Sequence, residues 1–582
     1  MSAKRLPKLL AFGIAATLIA ACSAGSSDEE ASVADAAPPA GTVPVLWMLD
    51  VDHAGVAAKV DEQMAAITAG QRPDFLTVSE IAETYGATDA DSAAVLDFLS
   101  NAGVDAKLDS TASFVETAMS VAQIDALLGV QFALYSGHGP YDLPTVPAEL
   151  TTTVTNVIIG NDGPEPFADP SPKEFVPTPS PTPPPPASAG PSGGPRIGCS
   201  TAIDGGAYFF PNQLNTAYGV SSIQDRYRGE GVRIGMMESG TSRSSFEAFA
   251  QCMDVDVDLY DHPYQLSEAT GEGTMDPQAA TWAAPELGGL DFWSLGQLEY
   301  GGSGYQDEAW WQIWVGRMSK VIDPAANGGT APLVISESIE PDLACPGPHQ
   351  TVFAPILLKA MSEAVNRAAA TGATLLFASG DAGSYDDVRH YCAPWPNILA
   401  PITIVGGTHL ELTADNAIAG PGGQSAWNGS GGGIVADVPQ PAYQSGIFAT
   451  NTTNRLAPDV AFGASGDPGF ALQGTVPYWG PASGTSFSTP YAAGGVALLV
   501  QAAGEAIGPL NPYLYKAATQ NGGADYDKYF YDVVDGNNKS TPDATCCDAG
   551  PGFDLATGLG SIKFDAFVGF IIAETQAWGS PQ

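Results

Sequence analysis

Short apolar runs alternate with amphipathic segments along the first part of the chain. Asp91 to Ala102 carries apolar residues at helical spacing, and capping boxes at Thr77 to Glu80 and Ser120 to Gln123 mark two further helix starts. Strands are predicted at Val43 to Leu49, Val130 to Tyr135 and Thr151 to Ile159. Together these elements predict a compact α+β unit of about a hundred residues.

A proline-rich segment at 161–197 interrupts this pattern. Its centre, Pro177 to Pro186, cannot form a packed core and predicts an extended, protease-accessible linker. Beyond it, apolar strands alternate with helices. The predicted strands are Val232–Met237, Leu333–Ser336, Ala373–Ser379 and Ile402–Val405, and the predicted helices are Ser242–Met253 and Thr351–Ala370. This alternation predicts a largely parallel sheet covered on both faces, with functional residues at the carboxyl ends of its strands.

Length and charge narrow the possible functions. A chain of 582 residues exceeds one ordinary core, so two or more domains are expected. With 64 acidic residues against 22 lysines and arginines, the formal charge of −42 argues against binding nucleic acid through its phosphates. The same charge fits work in an acidic medium, and it fits a merely soluble secreted surface equally well.

The N-terminus has the pattern of an export signal. Basic residues precede an apolar run from Leu9 to Ala21, which is too short for a confident membrane span. The run ends in Leu18-Ile19-Ala20-Ala21-Cys22, which resembles the lipobox of bacterial lipoproteins. We therefore expect a signal peptide at 1–21, a lipidated Cys22 and a tether at 22–42. The alternative is an ordinary signal peptide cut near Ala21.

Six cysteines remain after Cys22, an even number in an exported chain. They are Cys199, Cys252, Cys345, Cys392, Cys546 and Cys547. Disulfides are the expected state, with the pairing left open, and different partners are expected for the adjacent Cys546 and Cys547.

The segment from Ala482 to Pro490 carries the main candidate for catalysis. Ser486 lies on a glycine-containing turn, and small and apolar residues from Tyr491 to Val500 predict a closely packed helix after it. Ser486 is thus expected near a helix N-terminus, where free N–H groups assist attack on a carbonyl. Taken alone, however, such a Gly-Thr-Ser triplet is more typical of a turn or cap.

From about Val43 to Gly560 the chain resembles the sedolisins, serine-carboxyl peptidases with a subtilisin-like fold and a removable propeptide. The resemblance rests on the segments around Ser486 and Asp381 and on Pro211–Leu214, Val405–Thr408, Ser430–Gly433 and Arg455–Val460. It implies an α/β catalytic domain at 198–582, with a subtilisin-like, largely parallel sheet covered by helices on both faces. An α+β, ferredoxin-like propeptide domain at 43–160 would precede it.

The resemblance also implies catalytic roles. Ser486 would be the nucleophile, and a protonated Asp381 would donate a hydrogen bond to the oxyanion beside the Ser486 N–H. No histidine after the linker lies in a subtilisin-like His-Gly-Thr-His context, so carboxylates must act if Ser486 is a nucleophile. A glutamate base, with an ordinary pKa of about 4.3, suits catalysis in acid.

The base is expected at Glu286, oriented by Asp291. Sedolisins usually place the glutamate four residues before the aspartate on one helix face, with a leucine immediately before the aspartate. Leu290 fits, but Glu286 is five residues before Asp291, which turns it off the shared face of a regular helix. Gly288 and Gly289 can absorb the extra residue as a π-bulge or a loosened turn. The alternative is an exposed Glu286 in a catalytically impaired protein.

Near the C-terminus, two segments resemble the sedolisin calcium site. The resemblance implies Ca²⁺ bound by the carboxylates of Asp532 and Asp554 and by the carbonyls of Val533, Gly550 and Gly552. Hard oxygen ligands of this kind are those that Ca²⁺ prefers. A plain glycine-rich loop is the alternative.

These observations predict an exported acid endopeptidase, made as a proenzyme and autoprocessed, that acts on protein or peptide substrates. Its own propeptide would inhibit it, a lipid anchor would be its only attachment to the membrane, and we expect a monomer. The catalytic domain would reach the extracellular space if processing frees it from the anchored part. A peptidase-like lipoprotein that binds peptides or partners without cleaving them is the alternative, and an ordinary calcium-dependent subtilisin is a third, disfavoured by the missing histidine motif.

Overall fold

The computed structural model describes fourteen segments of the chain. They are residues 42–130, 144–159, 209–238, 243–262, 272–295, 308–339, 354–385, 397–420, 422–447, 452–465, 469–472, 478–481, 483–541 and 544–579. The predicted signal peptide, Cys22, the proline-rich linker and most of the predicted strand at Val130 to Tyr135 lie outside these residues. Among the helices in the described segments, none is long and apolar enough to cross a membrane.

The first unit is an antiparallel sheet packed with helices. Its strands are β1 (Thr42–Leu49), β2 (Ala106–Leu108), β3 (Phe114–Ser120) and β4 (Val154–Ile159), and its helices are α1 (His53–Thr68), α2 (Val78–Tyr85), α3 (Asp89–Asn101) and α4 (Val121–Leu128). The strand order is β2-β3-β1-β4. This is the expected α+β, ferredoxin-like arrangement, with β1 at the centre.

Local chemistry explains where these helices start. The Thr77 and Ser120 side chains accept from the N–H groups of Glu80 and Gln123, whose side chains accept from the cap N–H groups in return. Both predicted capping boxes are therefore confirmed. Gly129 ends α4 with a φ of 69°, a left-handed conformation that glycine adopts without steric cost.

The second unit alternates strands and helices. The helices are α5 (Pro211–Ala217), α6 (Arg243–Met253), α7 (Glu272–Ala283), α8 (Glu308–Val321), α9 (Ala354–Ala370), α10 (Thr485–Ala503), α11 (Asn511–Thr519), α12 (Tyr526–Tyr529) and α13 (Phe564–Ala577). The strands are β5 (Arg233–Glu238), β6 (Leu259–His262), β7 (Gly289–Ser294), β8 (Val334–Glu337), β9 (Thr374–Ala378), β10 (Ile402–Leu410), β11 (Gln424–Ala426), β12 (Gly433–Pro439), β13 (Asn454–Ala457), β14 (Val460–Gly463), β15 (Gly469–Leu472), β16 (Tyr478–Pro481), β17 (Phe530–Tyr531), β18 (Asp535–Gly536) and β19 (Ser561–Ile562).

The central sheet is largely parallel, as predicted. Its order is β6-β7-β5-β8-β9-β10, with β14 also parallel to β10 and with β11 and β18 continuing the edge. Every residue of β7, β8 and β9 is buried, as expected for parallel strands covered on both faces; most are apolar, and Asp291 and Glu337 are buried acidic exceptions. Helices α7, α10 and α13 cover one face, and α8 and α9 cover the other.

The first unit packs on the face formed by α8 and α9. Leu46 of β1 and Val56 of α1 belong to the same apolar cluster as Trp314 of α8 and Leu357 of α9.

Polar contacts reinforce this interface between the two units. Arg72 makes two bonds to Glu505, at 2.5 and 3.0 Å, and Lys320 lies 2.8 Å from Glu116. The Gln63 side chain donates to the Ala370 carbonyl at the end of α9.

The cysteines differ from expectation at one point. Cys546 and Cys547 are bonded to each other rather than to different partners. Cys252 is also disulfide-bonded. The expectation of separate partners overlooked that two adjacent cysteines can close a small ring.

Candidate active site

Ser486 is the second residue of α10, at the N-terminus of a buried helix. The cap residue is Gly484, whose φ of 98° suits glycine and turns the chain sharply into the helix. Ser486 is only 7% exposed, and its hydroxyl donates to the Ser338 carbonyl at 3.4 Å. Ser486 thus stands in the first turn of α10, where backbone N–H groups have no acceptor within the helix itself.

Close packing of α10 against α7 fixes the depth of Ser486. A Cβ on Gly494 would lie 2.0 Å from the Ala280 carbonyl oxygen of α7. Because Gly494 has no side chain, the backbones of α10 and α7 approach more closely here than any other residue would allow. On another side of α10, a Cβ on Gly495 would meet the ring of Phe564.

Asp381 lies beside Ser486, just beyond the carboxyl end of β9. Its Oδ1 accepts from the Thr485 N–H at 2.7 Å and from the Thr485 hydroxyl at 2.8 Å. Its Oδ2 lies 2.4 Å from the position that a Cβ on Gly484 would take. Solvent reaches Asp381, but neighbouring protein desolvates its carboxyl group and raises its pKa, against the opposing effect of the Thr485 bonds. A raised pKa favours the protonated form that can donate a hydrogen bond.

A second carboxyl group reaches the site from α7. Asp276 is fully buried, and its Oδ2 accepts from the Ser338 hydroxyl at 2.5 Å. Ser338 follows the carboxyl end of β8 and also contacts Ser486, through a hydroxyl to carbonyl distance of 3.2 Å. Asp276 was not among the residues singled out in the sequence, yet the fold brings it close to Ser486 through Ser338.

Asp276 also has a glutamate at the spacing that the family resemblance requires. Glu272 is the first residue of α7, four residues before Asp276, and apolar Met275 immediately precedes the aspartate. Positions four apart lie on one helix face. The same pattern that was sought at Glu286 is therefore met here, with methionine in place of leucine.

Glu286 and Asp291 are not brought to Ser486. Glu286 is 37% exposed and bound to Arg228 at 2.6 Å. Asp291 lies in strand β7 rather than on a helix, and its carboxylate is bound by Arg233 and contacted by His262 at 3.2 Å.

The sheet register explains this placement of Asp291. Asp291 and Ile335 both align with Gly235 of β5, so Asp291 is level with a residue three positions before Ser338. That leaves it roughly 10 Å short of the carboxyl edge of the sheet. The predicted pair is wrong in position, because its residues form a loop and a buried strand instead of one helix face.

An open pocket of about 340 Å³ lies at the edge of the sheet formed by β10, β11 and β18, and none of its lining residues belongs to the segment around Ser486. Its lining residues are His409, Ala426, Trp427, Asn428, Ser465, Gly536 and Asn537.

The predicted calcium loop brings the buried Asp554 and the half-buried Asp532 near the same tyrosine. Asp532 accepts from the Gly552 N–H, and Asp554 accepts from Gly550 and from two further backbone N–H groups. Burial raises the pKa of Asp532 and raises that of Asp554 to about 6. The pKa of Tyr526 is raised by burial first and then by both carboxylates.

The donor chemistry of this loop fits Ca²⁺. A cation would offset the cost of burying two carboxylates, and carboxylate and carbonyl oxygens are its preferred ligands. Within the described segments no group of three or more His, Cys, Asp or Glu side chains is arranged to hold a metal, so backbone carbonyls would have to complete the shell.

Comparison with known proteins agrees with this architecture. Residues 32–160 match the model of the pro-kumamolisin activation domain. Pseudomonas sedolisin, a serine-carboxyl proteinase solved with two molecules of pseudo-iodotyrostatin, superposes with a TM-score of 0.51 at 22% identity, over 63% of this chain and 99% of that one. This likeness supports the subtilisin-like fold.

Three curated relatives are similar in sequence over part of the chain. Kumamolisin of a Bacillus species is 33% identical over 37% of this chain and 39% of its own length. Human tripeptidyl-peptidase 1 is 32% identical over 35% and 38%, and sedolisin of a Pseudomonas species is 29% identical over 34% and 36%. The chain thus aligns with less than two fifths of the length of these relatives.

Proposed function

We propose that this chain is a member of the sedolisin family, an acid-active serine-carboxyl endopeptidase made as a proenzyme; its likeness to the pro-kumamolisin activation domain, kumamolisin and sedolisin supports the proposal. The observation that carries the proposal is the meeting of Ser486, Asp381 and Asp276 at the carboxyl edge of the sheet. A helix N-terminus, a protonatable carboxyl group and a buried carboxylate are the parts that acyl transfer in acid requires.

In this proposal, Ser486 attacks the peptide carbonyl and the base role moves to Glu272. Glu272 takes the Ser486 proton and returns it to the leaving amine, while Asp276 orients Glu272 from one turn away. Asp381 in its protonated form and the Ser486 N–H stabilise the oxyanion. Activity would then fall as pH rises through the pKa of Asp381, because the ionised carboxylate cannot donate.

The remaining parts of the proposal concern cofactor, processing and location. Asp532, Asp554 and the carbonyls of Val533, Gly550 and Gly552 would hold Ca²⁺, which supplies charge that stabilises the C-terminal loops. The unit at 43–160 would inhibit the enzyme until cleavage in the linker at 161–197. We also propose that the chain is exported as a lipoprotein through Cys22. Processing would release the catalytic part, which would act as a monomer on peptide substrates.

The alternative of a non-cleaving binding protein was motivated by the five-residue spacing of Glu286. Since Glu272 and Asp276 supply the regular spacing, that motivation no longer applies. A calcium-dependent ordinary subtilisin would need a histidine base, which the described part of the site does not contain.

The test is a time course near pH 4 with the purified full chain and its Ser486→Ala variant, with the N-terminus of each product determined. We expect self-cleavage in or near the linker followed by peptide cleavage, both lost in the variant. Equal cleavage in wild type and variant would refute a serine mechanism. Peptide binding without turnover at any pH would instead favour the binding protein.

A further inference from the structure

Ser338 lies at a junction that no assigned role explains. It is 3% exposed and is the first residue after β8, and it makes one contact with Asp276 and two with Ser486. Its hydroxyl lies 2.5 Å from Asp276 Oδ2 and 3.2 Å from the Ser486 carbonyl, and its own carbonyl accepts from the Ser486 hydroxyl at 3.4 Å. Ser338 therefore touches both the nucleophile and the carboxylate that would orient the base.

The backbone around Ser338 is held on both sides. The Ser338 N–H donates to Glu238 Oε1 at 3.2 Å, and the Ile339 N–H donates to Glu337 Oε1 at 3.2 Å. Glu337 is itself fixed by the indole of Trp314 at 2.9 Å. The buried carboxylates of Glu238 and Glu337 thus hold the backbone that carries the Ser338 hydroxyl.

The hydroxyl has one proton and two acceptors within reach. The carboxylate of Asp276 is the stronger acceptor and the closer one, so the proton goes to it. Asp276 lies on α7 and Ser338 directly follows β8, so this bond ties the helix to the end of the strand at the level of Ser486. Without it, Asp276 would lose this tie between the helix and the sheet.

We propose that Ser338 is a positioning residue of the peptidase: its hydroxyl holds Asp276 in the orientation that aligns the base with Ser486. The inference rests on the proposed function, and it adds a residue that the family resemblance did not supply. Ser338 acts through Asp276 and does not itself touch the reacting atoms in this arrangement.

The test is a double-mutant cycle on the processed enzyme, with Ser338→Ala, Asp276→Asn and both together. Ser338→Ala is expected to lower kcat about tenfold to hundredfold, the range for a hydrogen bond to a charged group, and to change KM less than about twofold. In the Asp276→Asn background, Ser338→Ala should cost less than about threefold, because the bond it serves is already altered. Ser338→Thr, which keeps the hydroxyl, should recover part of the kcat.

Ser336→Ala is the matched control. Ser336 is a buried serine of the same strand, and among the described residues its hydroxyl has no hydrogen-bond partner. We expect its kcat to stay within about twofold of wild type. A Ser338→Ala enzyme with unchanged kcat, or with a loss that simply adds to that of Asp276→Asn, overturns the inference. Wild-type protein that fails to cleave at all overturns the proposed function, and this inference with it.

Discussion

Substituting Gly494 by alanine tests whether the contact between α7 and α10 sets the catalytic geometry. The new Cβ would lie 2.0 Å from the Ala280 carbonyl oxygen, which belongs to backbone and cannot rotate away. Carbon and oxygen atoms rarely approach closer than about 3.3 Å, so the two helices must separate by about 1 Å or more. Asp276 is on one of these helices and Ser486 is on the other.

The expected effect on catalysis exceeds the effect on stability. Overpacking of this size costs roughly 1–3 kcal/mol of unfolding free energy, which leaves a folded protein. A misplacement of about 1 Å between reacting groups costs about a hundredfold in rate. We therefore expect Gly494→Ala to fold, with a lowered Tm, and to lose about a hundredfold in kcat/KM.

Gly495→Ala provides the matched control. It adds the same methyl group to the same helix, but the Cβ meets the Phe564 ring at 2.2 Å, on the face towards α13 and away from α7. Its Tm should fall by a similar amount while kcat/KM changes much less. Thermal unfolding and peptide hydrolysis near pH 4 measure both quantities. If the two variants lose kcat/KM equally, the α7 contact does not set the geometry and the reasoning fails.

Two further predictions concern pH and calcium. Burial raises the pKa of Asp381, and the mechanism requires its protonated form, so activity should be present below that pKa and lost as pH rises through it. The Asp381→Asn enzyme should be slower near the acid optimum, and the high-pH limb of its pH-rate profile should be flatter. A high-pH limb that is unchanged in Asp381→Asn would contradict the role of Asp381. Adding Ca²⁺ at about a hundred times its Kd should stabilise the wild-type protein by about 2.7 kcal/mol. This gain in unfolding free energy should disappear in Asp554→Asn but persist in Asp535→Asn, which changes an exposed aspartate nearby. A wild-type Tm that does not depend on Ca²⁺ would contradict the site.

Elements whose stability is local were predictable from the sequence. Thr77 and Ser120 cap their helices through residues three positions further along the chain. An apolar run such as Val43 to Leu49 is expected to be buried whichever surface it packs against. The position of Ser486 followed equally well, because a glycine turn before a run of small residues predicts the start of a closely packed helix.

The base could not be predicted as easily, since the sequence offers two acidic pairs. Leu290 and Asp291 imitate the expected motif, but the apolar residues after them form a buried strand. Helix α7 contains two residues that disfavour a helix, Gly273 and the interior Pro277. Its sequence therefore predicts a helix only weakly, and packing on α10 is needed to stabilise it. The four-residue spacing from Glu272 to Asp276 is a signal in the sequence that could have identified α7, but it was not used.

Ser338 shows a different limit. Its importance depends on the end of β8 meeting α7, a contact between segments about sixty residues apart. The only local hint is the polar Ser336-Glu337-Ser338 ending of an otherwise apolar strand, at the edge where functional residues gather.

The most direct test of the catalytic assignment compares Glu272→Gln with Glu286→Gln in kcat near pH 4. Loss of a general base should cost about a hundredfold to ten-thousandfold, so we expect that fall for Glu272→Gln. Glu286 is an exposed partner of Arg228, and its substitution should change kcat less than about twofold. A large loss in Glu286→Gln with full activity in Glu272→Gln would contradict the assignment of the base to α7.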